Sequence, residues 1–190
     1  MNKKKKIEIR FAGAGGQGLQ SAASVFGKSL ILSTEKYICQ AQNYGPESRG
    51  GLSYSDLIVS DEEIDFPKIR IPDILVCMSQ EAFLRFKPQL LDGSVQILIM
   101  DPEMVNTRGV LEKNKYLKVF RISSTLISEE IAETRILSNT VLVGTLFGIL
   151  QIGDQKSIEK VLKDEWPKLA KANVTAFRKG IELAQMNEVS

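Results

Sequence analysis

The chain has 190 residues, 43% hydrophobic and 25% charged, with a formal net charge of +2. That length suits one well-filled core and is short for two domains, and the composition is that of an ordinary soluble globular protein. Four positive charges sit in Lys3–Lys6, and the remainder holds 21 basic against 23 acidic residues, a balance of −2 that argues against a basic nucleic-acid binder.

The lysine run reads as a disordered basic tail over residues 1–6, ahead of a single domain over 7–190. No apolar segment follows the lysines to make a signal peptide. The longest apolar stretch, Val141–Leu150, is too short to span a bilayer and is interrupted by glycine, so no membrane contact and a cytoplasmic location are expected. There is no histidine, which excludes Ser-His-Asp and Cys-His nucleophile systems within this chain and any zinc site that needs imidazole. Cys39 and Cys77 lie in apolar strand-like runs, too few to hold an iron–sulfur cluster, and read as buried free thiols. No catalytic residue is assigned and no metal site is expected. This poverty of catalytic groups points to a binding subunit.

In chain order, Ile7–Ala12 alternates apolar and polar residues and predicts a strand. Leu19–Ser33 carries Leu19, Ala22, Ala23, Phe26, Leu30 and Ile31 at helical spacing. Lys36–Gln42 is a second strand, Asn43–Gly51 a polar loop and Leu52–Ser60 a third strand. Ile74–Met78 is a short buried strand, and Ser79 caps a helix with Phe83, Phe86 and Leu90 inward. Val95–Met100 and Tyr116–Ile122 are further strands. Ser124–Ile136 is an amphipathic helix. Asn139 is taken as the N-cap of Thr140–Ile152, which is apolar on nearly every side and therefore central. Ser157–Glu165 is a short helix, and a last helix carries Leu169, Val174, Phe177, Ile181 and Ala184 on one stripe, read as core packing with a partner surface as the alternative. Alternating strands and helices predict an α/β fold: a three-layer, Rossmann-like domain with a mostly parallel sheet and a helical C-terminal region.

Two loops carry the functional signal. Gly13–Gly18, GAGGQG, matches a phosphate-holding spacing between strand and helix. Glycine turns tightly there and leaves the first N–H groups of the helix open to an anion, which the helix dipole also favours. A tight turn without ligand is the plainer alternative. A dinucleotide site would also want an acid at the end of the second strand. That strand ends in Gln40, Gln42 and Asn43, and Glu35 lies at its wrong end. The second loop is YGPESRGG, Tyr44–Gly51. Gly45-Pro46 fixes a turn, and Glu47, Ser48 and Arg49 stand out before Gly50-Gly51. At the carboxyl end of a sheet Arg49 could grip a phosphate or carboxylate. A surface turn with an internal Glu47–Arg49 pair is the alternative.

GAGGQG, then YGPESRGG, then PDILVCMS, then SNTVLVGTLFG, over Ile7 to Leu150, resembles the gamma subunit of the 2-oxoacid:ferredoxin oxidoreductases. Within that family YGPESRGG is most similar to the 2-oxoglutarate type, with pyruvate, branched-chain and indolepyruvate members as alternatives. The resemblance implies a multi-subunit enzyme that converts a 2-oxo acid to its acyl-coenzyme A and passes electrons to ferredoxin. It also implies that thiamine diphosphate, magnesium and iron–sulfur clusters sit on alpha, beta and ferredoxin-like delta subunits. This chain would contribute coenzyme A binding and subunit contacts. Gly13, Gly15, Gly16 and Gly18 would hold the pyrophosphate, with Gln17 as a further donor. Gly45, Glu47, Ser48, Arg49 and Gly50 would line the same crevice, and Asn139 and Thr140 would close it. A missing ribose carboxylate suits coenzyme A, whose 3′-phosphate an acid would repel. Two rivals remain: a free-standing nucleotide-binding regulatory module, and an NAD-dependent dehydrogenase, for which neither the ribose acid nor a Tyr-x-x-x-Lys pair is present.

Overall fold

The computed structural model describes residues 5–44, 51–108, 114 and 116–187. β1 (Lys6–Ala14) is the centre of a six-stranded sheet and runs into α1 (Leu19–Ser33) through the first glycine loop. β2 (Tyr37–Tyr44) and β3 (Leu52–Ser60) form an antiparallel hairpin, followed by β4 (Ile74–Cys77), α2 (Gln80–Leu91), β5 (Ile97–Met100) and β6 (Lys118–Arg121). The helices α3 (Ser124–Ala132), α4 (Ser138–Leu150), α5 (Gln155–Glu165) and α6 (Ala170–Asn187) complete the chain.

The strand order is β2-β3-β1-β4-β5-β6. β1, β4, β5 and β6 are parallel neighbours, whereas β3 is antiparallel to both β1 and β2. The sheet is thus mostly parallel, as expected, with one reversed strand inserted beside β1. The reversal brings the β2–β3 connection to the carboxyl end of β1, where Ala14 stands opposite Leu52.

Alternation along the strands sends side chains to two faces. Ile9 and Phe11 join Leu57, Val59, Ile74 and Val76 in the larger core, under α1, α4, α5 and α6. Ala12, Leu75, Cys77 and Leu98 face the smaller core, under α2. The three layers are therefore lopsided. On the α2 side Arg10 is buried and forms a two-pronged pair with Asp56, at 2.6 and 2.7 Å, and donates to the Ile69 carbonyl at 2.9 Å. Its guanidinium lies 4.5 Å from the Tyr54 ring centre and 5.0 Å from that of Phe86. Burial pushes the Asp56 carboxyl up and the Arg10 bonds pull it down, burial being the stronger.

Several boundaries differ from expectation. Lys6 already pairs with Ser60 in the sheet, so the strand reaches into the lysine run. Cys77 is buried, and burial pushes its thiol up to about 12, whereas Cys39 is only half-buried. Ser79 does cap α2, accepting from the Ala82 N–H. The helix expected to reach Ile136 ends at Ala132, where Glu133 turns left-handed at φ 52°. Asn139 is not a cap: α4 starts at Ser138 with Leu137 before it, and Asn139 is occupied elsewhere.

α4 and α6 meet backbone to backbone. A Cβ at Gly144 would strike the Phe177 carbonyl, and one at Gly180 would strike the Val141 carbonyl. α4 lies so deep that Ser138 to Leu146 are all buried. No helix among the described residues is long and apolar enough to cross a membrane.

Candidate functional site

The glycine loop is closed by its own glutamine. The Gln17 side-chain oxygen accepts from the Ala14 N–H at 2.7 Å, and its amide nitrogen donates to the Met78 carbonyl at 2.8 Å, beyond the end of β4. The amide lies over Gly13, where a Cβ would overlap it. Gly13 is therefore required by Gln17, and Gln17, expected as a donor to ligand, braces the loop between two strands. Gly16 and Gly18 have φ of 89° and 71°, a region costly for other residues. Gly18 is the N-cap of α1, which has no side-chain cap bond and no acidic residue in its first turn. Its dipole is left for an outside anion.

Gly15 and Gly16 are exposed at the tip. The Gly15 N–H donates to the Gly51 carbonyl at 3.3 Å. This bond ties the first motif to the exit of the second. Gly45, Glu47, Ser48, Arg49 and Gly50 lie outside the described residues. Tyr44 and Gly51 on either side of them fix where their loop starts and ends, at the carboxyl end of β1.

A cleft of about 220 Å³ opens beside the loop. Gly16, Gln17 and Gly18 form one wall. Trp166, Leu169, Asn173 and Asn139 form the other, and Arg135 stands at the mouth, paired with Glu129 at 2.7 Å. The structure thus brings Gly16, Gln17, Gly18 and Asn139 to one cleft. Thr140 is buried behind it and does not line it. Trp166, Leu169 and Asn173 were missed, because the sequence after Asp154 carries no motif. The lone tryptophan just before Pro167 was the available signal. A larger hollow of about 290 Å³, between Ile31, Leu32 and Val161, lies on the far side of α1 and holds none of these residues.

Among the described residues, no acid stands at the end of β2 to grip a ribose. On the side of β1 away from β4 the neighbouring strand is β3, which starts rather than ends at the glycine loop. Gln40, on β2, donates to the Gln20 carbonyl and the Ser55 hydroxyl, at 3.2 and 3.0 Å. Cys39 on β2 and Cys77 on β4 are three strand spacings apart, about 14 Å. They cannot share one iron–sulfur cluster.

Fold and site together define an α/β domain with a cleft beside the uncapped start of α1, at the carboxyl end of its sheet. The chain belongs to the pyruvate ferredoxin/flavodoxin oxidoreductase family, whose pattern matches residues 8–183. It is 39% identical over 189 residues to 2-oxoglutarate synthase subunit KorC of Methanocaldococcus jannaschii, covering 97% of this chain and 99% of that one. With the subunit of the same description from Methanothermobacter thermautotrophicus it shares 40% over 179 residues, 93% and 94% of the two chains. Among solved structures it is similar to the keto/oxoacid ferredoxin oxidoreductase gamma subunit of Geobacter sulfurreducens, with a TM-score of 0.76, 25% identity and 97% and 99% coverage. A 2-oxoglutarate:ferredoxin oxidoreductase of Magnetococcus marinus, solved with 2-oxoglutarate, coenzyme A and succinyl-CoA bound, shares the fold at a TM-score of 0.85 and 21% identity. The match takes in 97% of this chain and 32% of that one.

Proposed function

We propose that this chain is the gamma subunit of a 2-oxoglutarate:ferredoxin oxidoreductase and supplies part of its coenzyme A site. The complex decarboxylates the 2-oxo acid, transfers the acyl group to coenzyme A and passes the electrons to ferredoxin. The observation that carries this reading is the Gly15–Gly51 hydrogen bond, which ties the glycine loop, one residue from the cleft-lining Gly16, to the exit of the second loop. The uncapped start of α1 supports a pyrophosphate there. The relatives named 2-oxoglutarate synthase support the substrate.

Thiamine diphosphate supplies the carbanion chemistry when bound, and with magnesium and the iron–sulfur clusters it belongs to alpha, beta and ferredoxin-like delta partners. The spacing of Cys39 and Cys77 supports placing the clusters elsewhere. This chain's residues bind and orient. Gly16 and Gly18 offer backbone donors to pyrophosphate. Gly13 and Gly15 shape the loop, because the one lies under the Gln17 amide and the other gives its N–H to Gly51, while Gln17 braces that loop and Asn139 holds Gly18. From the loop that holds Gly45, Glu47, Ser48, Arg49 and Gly50, Arg49 is the residue suited to supply a cation to the coenzyme.

The test is to tag the chain in its own host and purify it gently without oxygen. Co-purification with larger thiamine-bearing chains and an iron–sulfur protein, and coenzyme A-dependent turnover of 2-oxoglutarate, are expected. A chain that emerges alone with a bound nucleotide overturns the reading in favour of a regulatory module. In the assembled enzyme Arg49→Ala is expected to raise the coenzyme A KM by about ten-fold, equivalent to one charge-assisted hydrogen bond, and to affect 2-oxo acid decarboxylation less. Equal losses in both would assign Arg49 to assembly.

A further inference from the structure

Three buried polar side chains join the glycine loop to the start of the last helix. Asn139 Nδ2 donates to the Gly18 carbonyl at 3.1 Å. Thr140 Oγ1 donates to Asn173 Oδ1 at 2.8 Å and lies 3.4 Å from Asn139 Oδ1. Asn173 Nδ2 in turn donates to the Leu169 carbonyl at 3.2 Å. Asn139, Thr140 and Asn173 are only 8%, 3% and 3% exposed. Gly18 is on one wall of the cleft and Leu169 on the other; Asn139 and Asn173 line the cleft between them and Thr140 lies behind, so the row links wall to wall.

Holding α4 against α6 does not need this row. The Gly144 and Gly180 contacts already set that distance through backbone. Helices in such contact can still slide or rotate slightly, and a buried hydrogen-bonded row selects one arrangement because any other leaves an amide or hydroxyl unpaired in an apolar seam. The part of the molecule whose position depends on that choice is the turn from Trp166 to Leu169, at the foot of α6.

We propose that Asn173 is a positioning residue for the coenzyme cleft, acting through Thr140 and Asn139 to hold the Trp166–Leu169 wall at a fixed distance from Gly18. The inference rests on the reading of this cleft as the coenzyme A site. Asn173 lines the cleft as well, but the role proposed for it is to fix the position of its neighbours, and it supplies no chemistry to the reaction.

The test uses two substitutions in the assembled complex. Thr140→Val keeps the shape and removes the hydroxyl, leaving Asn173 Oδ1 without its donor. Thr140→Ser keeps the hydroxyl. Thr140→Val is expected to raise the coenzyme A KM by about ten-fold, the scale of one buried hydrogen bond, while the 2-oxo acid KM moves far less. Thr140→Ser is expected to return the coenzyme A KM towards that of the unsubstituted complex. Trp166 is the chain's one tryptophan, so in the purified full chain its emission reports the wall directly. Thr140→Val is expected to increase acrylamide quenching of Trp166, and Thr140→Ser is not. An unchanged coenzyme A KM, or unchanged quenching, overturns the proposal. A parallel rise in both KM values, or loss of the chain from the complex, also overturns it, since either marks a general structural role. An unsubstituted complex whose turnover is indifferent to coenzyme A removes the site reading itself, and the inference with it.

Discussion

Arg10 and Asp56 place a charge pair where water is absent, on the side of the sheet that α2 covers. Removing one member of such a pair strands the other, which costs about 3–5 kcal/mol, whereas replacing both by apolar residues can be nearly neutral. Arg10→Met is therefore expected to shift a urea unfolding midpoint strongly. Arg10→Met combined with Asp56→Leu is expected to recover most of the loss. A double variant as unstable as the single one would show that the pair adds more than self-neutralisation. Gln17 is a second residue whose work is local. Gln17→Leu deletes both bonds to Ala14 and Met78 and leaves polar backbone groups unpaired, at about 1–3 kcal/mol. Denaturation with and without coenzyme A separates this loss from any effect on the ligand. The four glycines were legible because their spacing is a backbone requirement written in residue type. The brace was not, because a glutamine in a loop looks the same whether it faces ligand or backbone. Arg10 was hidden for a similar reason: in an alternating strand a charged residue reads as solvent-facing, and its partner lies 46 positions away.

The helices show how far pattern carries. α4 was legible as central, since its apolar residues leave no polar face, and its burial follows. Its start was misjudged because Asn139 has the chemistry of a cap, and only the tertiary neighbour Gly18 reveals its other use. The glycines of α4 looked like interruptions. They are the contact itself. Gly144→Ala places a methyl group against the Phe177 carbonyl, and an overpacked seam costs about 1–3 kcal/mol. A lowered melting temperature with the sheet's circular dichroism retained below the transition is the expected result. A milder test concerns α5 and α6. Arg178 reaches Glu159 with two bonds, at 2.8 and 2.9 Å, and holds its carboxyl below the ordinary value of 4.5. A carboxylate with a lowered folded pKa stabilises the fold above its unfolded pKa and loses that contribution as pH falls through the folded one. The melting-temperature gap between the unsubstituted chain and Glu159→Gln is therefore expected to be widest above pH 4.5 and to close below it.

At the scale of the molecule, the α/β class and the alternation of elements were legible, while the direction of β3 was not. Hydrophobic alternation specifies a strand and says nothing of which way its neighbour runs. That direction matters most for function, because the reversal carries the second loop back to the first. It also removes the strand end at which a dinucleotide enzyme would grip ribose. The absence of histidine and the presence of only two cysteines point in the sequence to a binding role, and the cleft that would serve it lies between elements distant in sequence.

One wall of the cleft is made by residues near position 18 and the other by residues 166–173. A ribosome delivers these in order, so the glycine loop emerges some 150 residues before the surface it faces. Until α6 is synthesised and seated against Gly144, α4 has no lid over its backbone and the nascent sheet has a half-built crevice. The cleft is consequently completed late in synthesis, and a nascent chain without α6 lacks its Leu169–Asn173 side.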